Sequence, residues 1–144
     1  MIGIMTKLAF TVMAALLSLT APARAAEVAA EIGGEDPAQA CTASPLLVGA
    51  CFTVHGRLTA CTGIPNATIW IVGTKRILGV VDATGKPGGD RLLPGRLDTA
   101  MFTATPCSKA AFGDFTVCPL TAERPGVMQR VCVAGAAKLV LRDR

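Results

Sequence analysis

The chain of 144 residues holds one histidine, one tryptophan and six cysteines, so side-chain chemistry has few places to start. His55 is the single imidazole. Hydrolytic or acyl-transfer chemistry through it would need a nucleophile beside it and an acid to orient it. Cys51, Thr53, His55 and Arg57 recur at every second position and share one face of an extended stretch, which brings a Cys51–His55 pair within steric reach. No G-x-S-x-G accompanies them. The simpler expectation is a solvent-facing histidine, with Cys51 held in a disulfide.

Trp70 and Phe52 could form a stacking surface for a sugar or a peptide. Aromatic residues are only 4% of the chain, however, so a small core can ill spare them, and the core is the expected place for Trp70. Lys75 and Arg76 sit in a Gly73-Thr74-Lys75-Arg76 turn, with Arg57, Arg91 and Arg96 elsewhere. Converging donors would make an anion site. Separate charges on turns are usually just solvated. The candidate binding set is therefore His55, Arg57, Trp70, Lys75 and Arg76, and no catalytic residue is assigned. No metal site is expected either, because there is no C-x-x-C and no second histidine. Gly85-Lys86 fails as a phosphate loop, since Pro87 stands where Ser or Thr would bind magnesium. No cofactor is expected.

The elements that must position these residues can be read from the stretch Cys51–Val81. Phe52, Val54, Gly56 and Leu58 alternate with Thr53, His55 and Arg57, the period of a half-buried strand. Gly63-Ile64-Pro65-Asn66 breaks the chain, Ala67–Val72 is β-branched and aromatic, and Ile77–Val81 is a third run. Short connections favour antiparallel neighbours. Asp82–Leu97, rich in Gly, Pro and charge, reads as a long surface loop, either functional or disordered. Asp98–Thr105 could add a short helix or a strand, neither period being clear. Further strands are expected around Phe112–Val117, Val127–Val133 and Ala137–Leu141, the last two parted by Gly135. The fold class is mainly β: a small antiparallel sandwich or barrel of about five or six strands, with disulfides.

Residues 1–25 read as a secretory signal peptide. Leu8–Ala21 is apolar but, at about fourteen residues, short of a membrane span, and Ala23-Arg24-Ala25 is an A-x-A cleavage site. Cleavage removes Lys7 and Arg24 and leaves 12 basic against 10 acidic residues, a net of +2 that argues against nucleic acid as a partner. Residues 26–40 carry Glu27, Glu31, Glu35 and Asp36 among small residues and read as a flexible acidic arm; residues 41–144 form a single domain. No later segment is apolar enough to span a membrane.

All six cysteines lie beyond the signal peptide, the usage expected of an exported disulfide-bonded domain. Arg124-Pro125-Gly126 is a turn that sets Cys118 opposite Cys132. Such a pair can bond if its backbone groups are not hydrogen-bonded to each other. Cys41, Cys51, Cys61 and Cys107 keep every pairing open. Val48-Gly49-Ala50-Cys51 lacks the apolar run of a lipidation site, and Asn66-Ala67-Thr68 would be glycosylated only on a eukaryotic export route.

The segments CFTVHGRL, IWIVGTKRILGV, FGDFTVCPL and PGVMQRVCV resemble the sequence blocks of small exported bacterial proteins to which no activity is assigned. That resemblance, which covers most of Cys51–Val140, implies export and a shared fold. GRLTACTGIPNATIWIVGT is similar, more distantly, to the opening of transthyretin-like and carboxypeptidase-regulatory-like β-sandwiches. The functional expectation is a secreted or periplasmic, non-catalytic β-domain that binds another envelope component or a small ligand. The alternative is a small hydrolase or thiol-redox protein using His55 or an unpaired cysteine.

Overall fold

The computed structural model describes residues 36–88 and 91–144. The expected signal peptide and residues 26–35 of the arm lie outside the described residues. Among the described residues are five strands, β1 (Phe52–Ala60), β2 (Ala67–Ile71), β3 (Ile77–Val80), β4 (Lys109–Pro119) and β5 (Gln129–Asp143), and two short helices, α1 (Pro37–Thr42) and α2 (Arg96–Phe102).

The strands are mainly β-branched or alternating segments, and their order is β1-β2-β3-β5-β4. Because β1 pairs with both β2 and β4, the ladder returns to its start and closes a barrel. Closure removes exposed sheet edges along the ring. The expected all-antiparallel arrangement needs one correction: β3 and β5 run parallel, through Leu78–Val80 against Gln129–Val131. The long β3–β4 connection, which holds α2, and the β4–β5 hairpin together reverse the direction that a simple meander would give.

Inward residues follow the period-two pattern. Leu58 and Ala60 of β1, Ala67 and Ile69 of β2, Leu78 and Val80 of β3, Phe115 and Val117 of β4, and Val131 and Val133 of β5 are all buried in one cluster. Phe52 and Val54 pack partly against it. The segment expected as a surface loop contributes to this core as well. Leu92, Leu93 and Leu97 of it are buried, as is Met101 in the Asp98–Thr105 stretch that follows, and Leu97 and Met101 stand at the i, i+4 spacing of one helical face. Met101 lies at the end of the barrel where β1 finishes and β4 begins, and Leu92 lies beside Val81, Cys132 and Val133. A small barrel must fill its open end, and this apolar cluster does so although Gly and Pro surround it in sequence.

The two strands expected on either side of Gly135 are one. β5 continues through irregularities opposite Phe112/Asp114 and Thr116/Val117, and Lys138, in the first of them, has φ 53. Extra residues of this kind bend a long strand without ending it. The Arg124–Val127 turn is as expected: Val127 N–H donates to Arg124 O at 3.2 Å, and Gly126, at φ 74, takes the left-handed position of a type II turn.

That turn does set Cys118 opposite Cys132, but the two are not bonded to each other. Leu120 N–H donates to Arg130 O, so by alternation Cys118 and Cys132 form a hydrogen-bonded pair, the wider kind. Each sulfur turns to a different partner instead: Cys132 to Cys41 and Cys118 to Cys51, while Cys61 bonds Cys107. The Cys51–Cys118 and Cys61–Cys107 bonds stand at the two ends of the β1–β4 ladder that closes the barrel. Three disulfides mark a domain made for an oxidising compartment.

The Cys41 and Cys51 bonds hold residues 36–51 as a strap outside β4 and β5. Pro37–Ala40, expected in the flexible arm, open α1, with Asp36 accepting from Ala38 N–H as its cap. Cys41, Val81, Cys118, Leu120 and Cys132 bury a second, smaller cluster beneath the strap. Val48 N–H donates to Pro119 O, and Ser44 Oγ to Ala83 O.

Candidate functional site

The register places four side chains in one row across the outside of the barrel. Phe112 of β4 opposes Arg57 of β1, Arg57 opposes Trp70 of β2, and Trp70 opposes Ile77 of β3. All four belong to the outward parity, since their neighbours Ala111, Leu58, Ile69 and Leu78 are the core residues. Trp70 is therefore not in the core, contrary to expectation. Ile69 and Ile71 take the inner face, and the strand's period gives its other face to the single tryptophan. Its indole N–H donates to Thr74 O at 2.8 Å, which fixes the ring against the β2–β3 turn. The Arg57 guanidinium lies over that ring at 5.1 Å, a cation–π stack, and Arg57 Nε is buried without a hydrogen-bond partner among the described residues.

Beside this row is a cleft of about 650 Å³ between the β2–β3 turn and the β4–β5 hairpin. Lys75 and Arg76 line one wall, while Arg124, Val127, Met128 and Gln129 are on the other. Arg76 is a clamp rather than a free donor: Nη2 donates to Gln129 Oε1 at 2.8 Å, and Nε pairs with Glu123 at 3.2 Å. Gln129 in turn donates to Thr121 O. These bonds fix the two walls to one another. Ile77, Val127 and Met128 are large apolar side chains left exposed there, and Lys75 and Arg124 are exposed bases without an ion pair among the described residues.

His55 lies on the same outer face as Arg57 but turns the other way. Its Nδ1 is 2.9 Å from Asp114 Oδ1, and Lys138 Nζ is 3.2 Å from Asp114 Oδ2. Hydrogen bonds from His55 first and from Lys138 next hold the Asp114 carboxyl below the usual carboxylate range. An Asp–His pair whose Nε2 has no partner among the described residues is half of a general-base system. The hydroxyls nearest along the strands, Thr53 and Thr116, are hydrogen-bonded to each other at 3.1 Å rather than to the imidazole. Cys51, the other candidate neighbour, is in a disulfide.

All six cysteines are bonded and none is free, which overturns the alternative that relied on an unpaired cysteine. Cys41, Cys118 and Cys132 place their sulfurs within 4.8 Å of one another, but as disulfides they offer no thiolate to a metal.

Of the five residues singled out in the sequence, Arg57 and Trp70 are brought into direct contact, Lys75 and Arg76 line the neighbouring cleft, and His55 belongs to a separate ion pair. Sequence reasoning missed Asp114, although it stands at outward parity between Phe112 and Thr116. It also missed the exposed apolar set of Ile77, Val127 and Met128, because pairing β3 beside the β4–β5 hairpin depends on contacts far apart in sequence. Comparison with family models, with curated proteins and with solved structures returned no significant match.

Proposed function

We propose that this chain is an exported, non-catalytic β-domain that binds its ligand on the outer face of β1–β3 and in the adjoining cleft. The observation that carries the reading is the Arg57–Trp70 stack in register with Ile77, beside a cleft that pairs exposed apolar side chains with Lys75 and Arg124. Apolar floor and basic rim suit a ligand with an anionic group on an apolar body, whether a small molecule or part of an envelope component. Export is supported by the A-x-A site after an apolar run and by the disulfides. Five-stranded Greek-key barrels of the OB type bind ligands over strands 2 and 3 and the loops beside them; this is an analogy at the level of fold alone.

Trp70 is the only tryptophan and there is no tyrosine, so its emission reports this surface without interference. Titration with anilinonaphthalene sulfonate, an anion on an apolar body, should quench that emission saturably. Exchanging Lys75 and Arg124 together for Glu should weaken the dye by about tenfold or more while circular dichroism stays native. Quenching that does not saturate, or that ignores the charge reversal, would remove the reading.

A further inference from the structure

We propose that the end of β5, Leu139–Asp143, is an open edge that accepts an added strand, and that the strand is an extended peptide with acidic residues flanking an apolar run. β5 pairs with β4 almost to its end but with β3 only through Gln129–Val131. The ring of the barrel is closed, yet this tail of the strand extends past it. Arg144 N–H donates to Ser108 O at 2.9 Å, directly opposite, so Arg142 and Val140 also turn their backbone groups to β4. The N–H and C=O groups of Leu139, Leu141 and Asp143 then point to the open side, where no other strand pairs with them among the described residues.

The side chains agree with the backbone. Leu139, Val140 and Leu141 are 39%, 49% and 48% exposed, so neither face of this stretch is buried. Single exposed apolar residues are ordinary, but three in succession on an unpaired edge are a pairing template.

A second copy is a poor occupant. Antiparallel self-pairing centred on Val140 matches Leu139 with Leu141 but sets Lys138 against Arg142, and like charges directly opposed repel. Sliding the register by two residues gives up much of the apolar match. The same two bases favour a partner strand with acids at those positions. The charges along the edge are Lys138, which reaches Asp114, Arg142 and Arg144, which have no ion-pair partner among the described residues, and Asp143, held by Lys109 at 3.5 Å. Lys138, with its left-handed backbone, ends the usable edge on one side and leaves five residues, an ordinary strand length. Main-chain bonds would supply affinity, and the flanking bases would supply selectivity.

The test uses two capped seven-residue peptides of alternating Val and Thr, one carrying Glu and the other Lys at the second and sixth positions, the same spacing as Lys138 and Arg142. The Glu peptide should slow amide exchange at Leu139, Leu141 and Asp143 and should bind at least about fivefold more tightly than the Lys peptide. Arg142→Glu should remove that preference. Leu141→Pro removes an outward N–H rather than a bond to β4 and should abolish binding of both peptides without loss of the fold. Should that variant unfold, the exchange pattern and the loss of preference in Arg142→Glu still decide. Equal binding of the two peptides, unchanged exchange at the three amides, or concentration-dependent dimerisation of the protein alone would each overturn the proposal. The dye experiment at Trp70 is independent of all three.

Discussion

Gly56 of β1 stands directly opposite Gly113 of β4, and neither has room for a methyl group. A Cβ on Gly56 would lie 2.5 Å from Ile69 Cγ2 and 3.2 Å from Trp70 O, and one on Gly113 would lie 2.7 Å from Ala137 O and 2.8 Å from Leu139 Cδ2. The facing glycines let neighbouring strands approach where a small barrel must curve most tightly. Gly113→Ala should destabilise the domain by about 1–3 kcal/mol, because backbone must move. Gly56→Ala should cost a comparable amount by displacing a buried, β-branched side chain. At about 4–8 °C per kcal/mol, calorimetry would resolve either change, and unaltered melts would mean that the strands are further apart than described.

The three disulfides close loops with sequence separations of 91, 67 and 46 residues. In the chain-entropy account, each adds about 4 kcal/mol, so together they rival the whole stability of a domain of this size. Full reduction should therefore unfold the protein at room temperature, as seen by circular dichroism. Peptide mapping without reduction should yield fragments joining Cys41 to Cys132, Cys51 to Cys118 and Cys61 to Cys107. A fragment joining Cys118 to Cys132 would contradict the pairing.

Asp114 gives the fold an acid-sensitive component. Its carboxyl is held down in the folded state by His55 and Lys138, so it favours folding above the ordinary carboxylate range. That contribution disappears as pH falls through the lowered folded-state value. Asp82 behaves alike: against the desolvation that would raise it, hydrogen bonds from Thr84 and Lys86 lower it. Urea midpoints from about pH 6 down to about pH 2 should fall less steeply for Asp114→Asn than for the parent, with the Asp82 share remaining. Parallel curves would show that the ion pair adds nothing to folding.

Much of the fold was legible in the sequence because it is written in local pattern. The alternation from Phe52 to Leu58, the Pro125-Gly126 turn and the register of Cys118 against Cys132 all follow from adjacent residues. That each of those two cysteines bonds a different partner was not legible, because it depends on which backbone groups pair across β4 and β5, a choice that turn position alone does not make. Leu92, Leu93 and Leu97 were hidden by the Gly and Pro around them, although Leu97 and Met101 already had helical spacing. The face of Trp70 could not be read from a strand apolar on both sides. The basic side chains of the site were visible individually; their grouping was not, since β3 meets the β4–β5 hairpin through a parallel pairing across some fifty residues.

A ring riveted at one join has to breathe at another. With Cys51–Cys118 and Cys61–Cys107 at the two ends of the β1–β4 ladder, that join cannot peel from either side while the protein is oxidised. The β3–β5 contact has three residue pairs and no covalent tie of its own between the two strands. It is the natural hinge line of the barrel, and it runs beside the cleft that Ile77 and Met128 line. Openings there must first break the Arg76 bonds to Gln129 and Glu123, and would then change the width of the cleft while leaving the rest of the wall intact, so the oxidation that stiffens this domain also decides where it can yield.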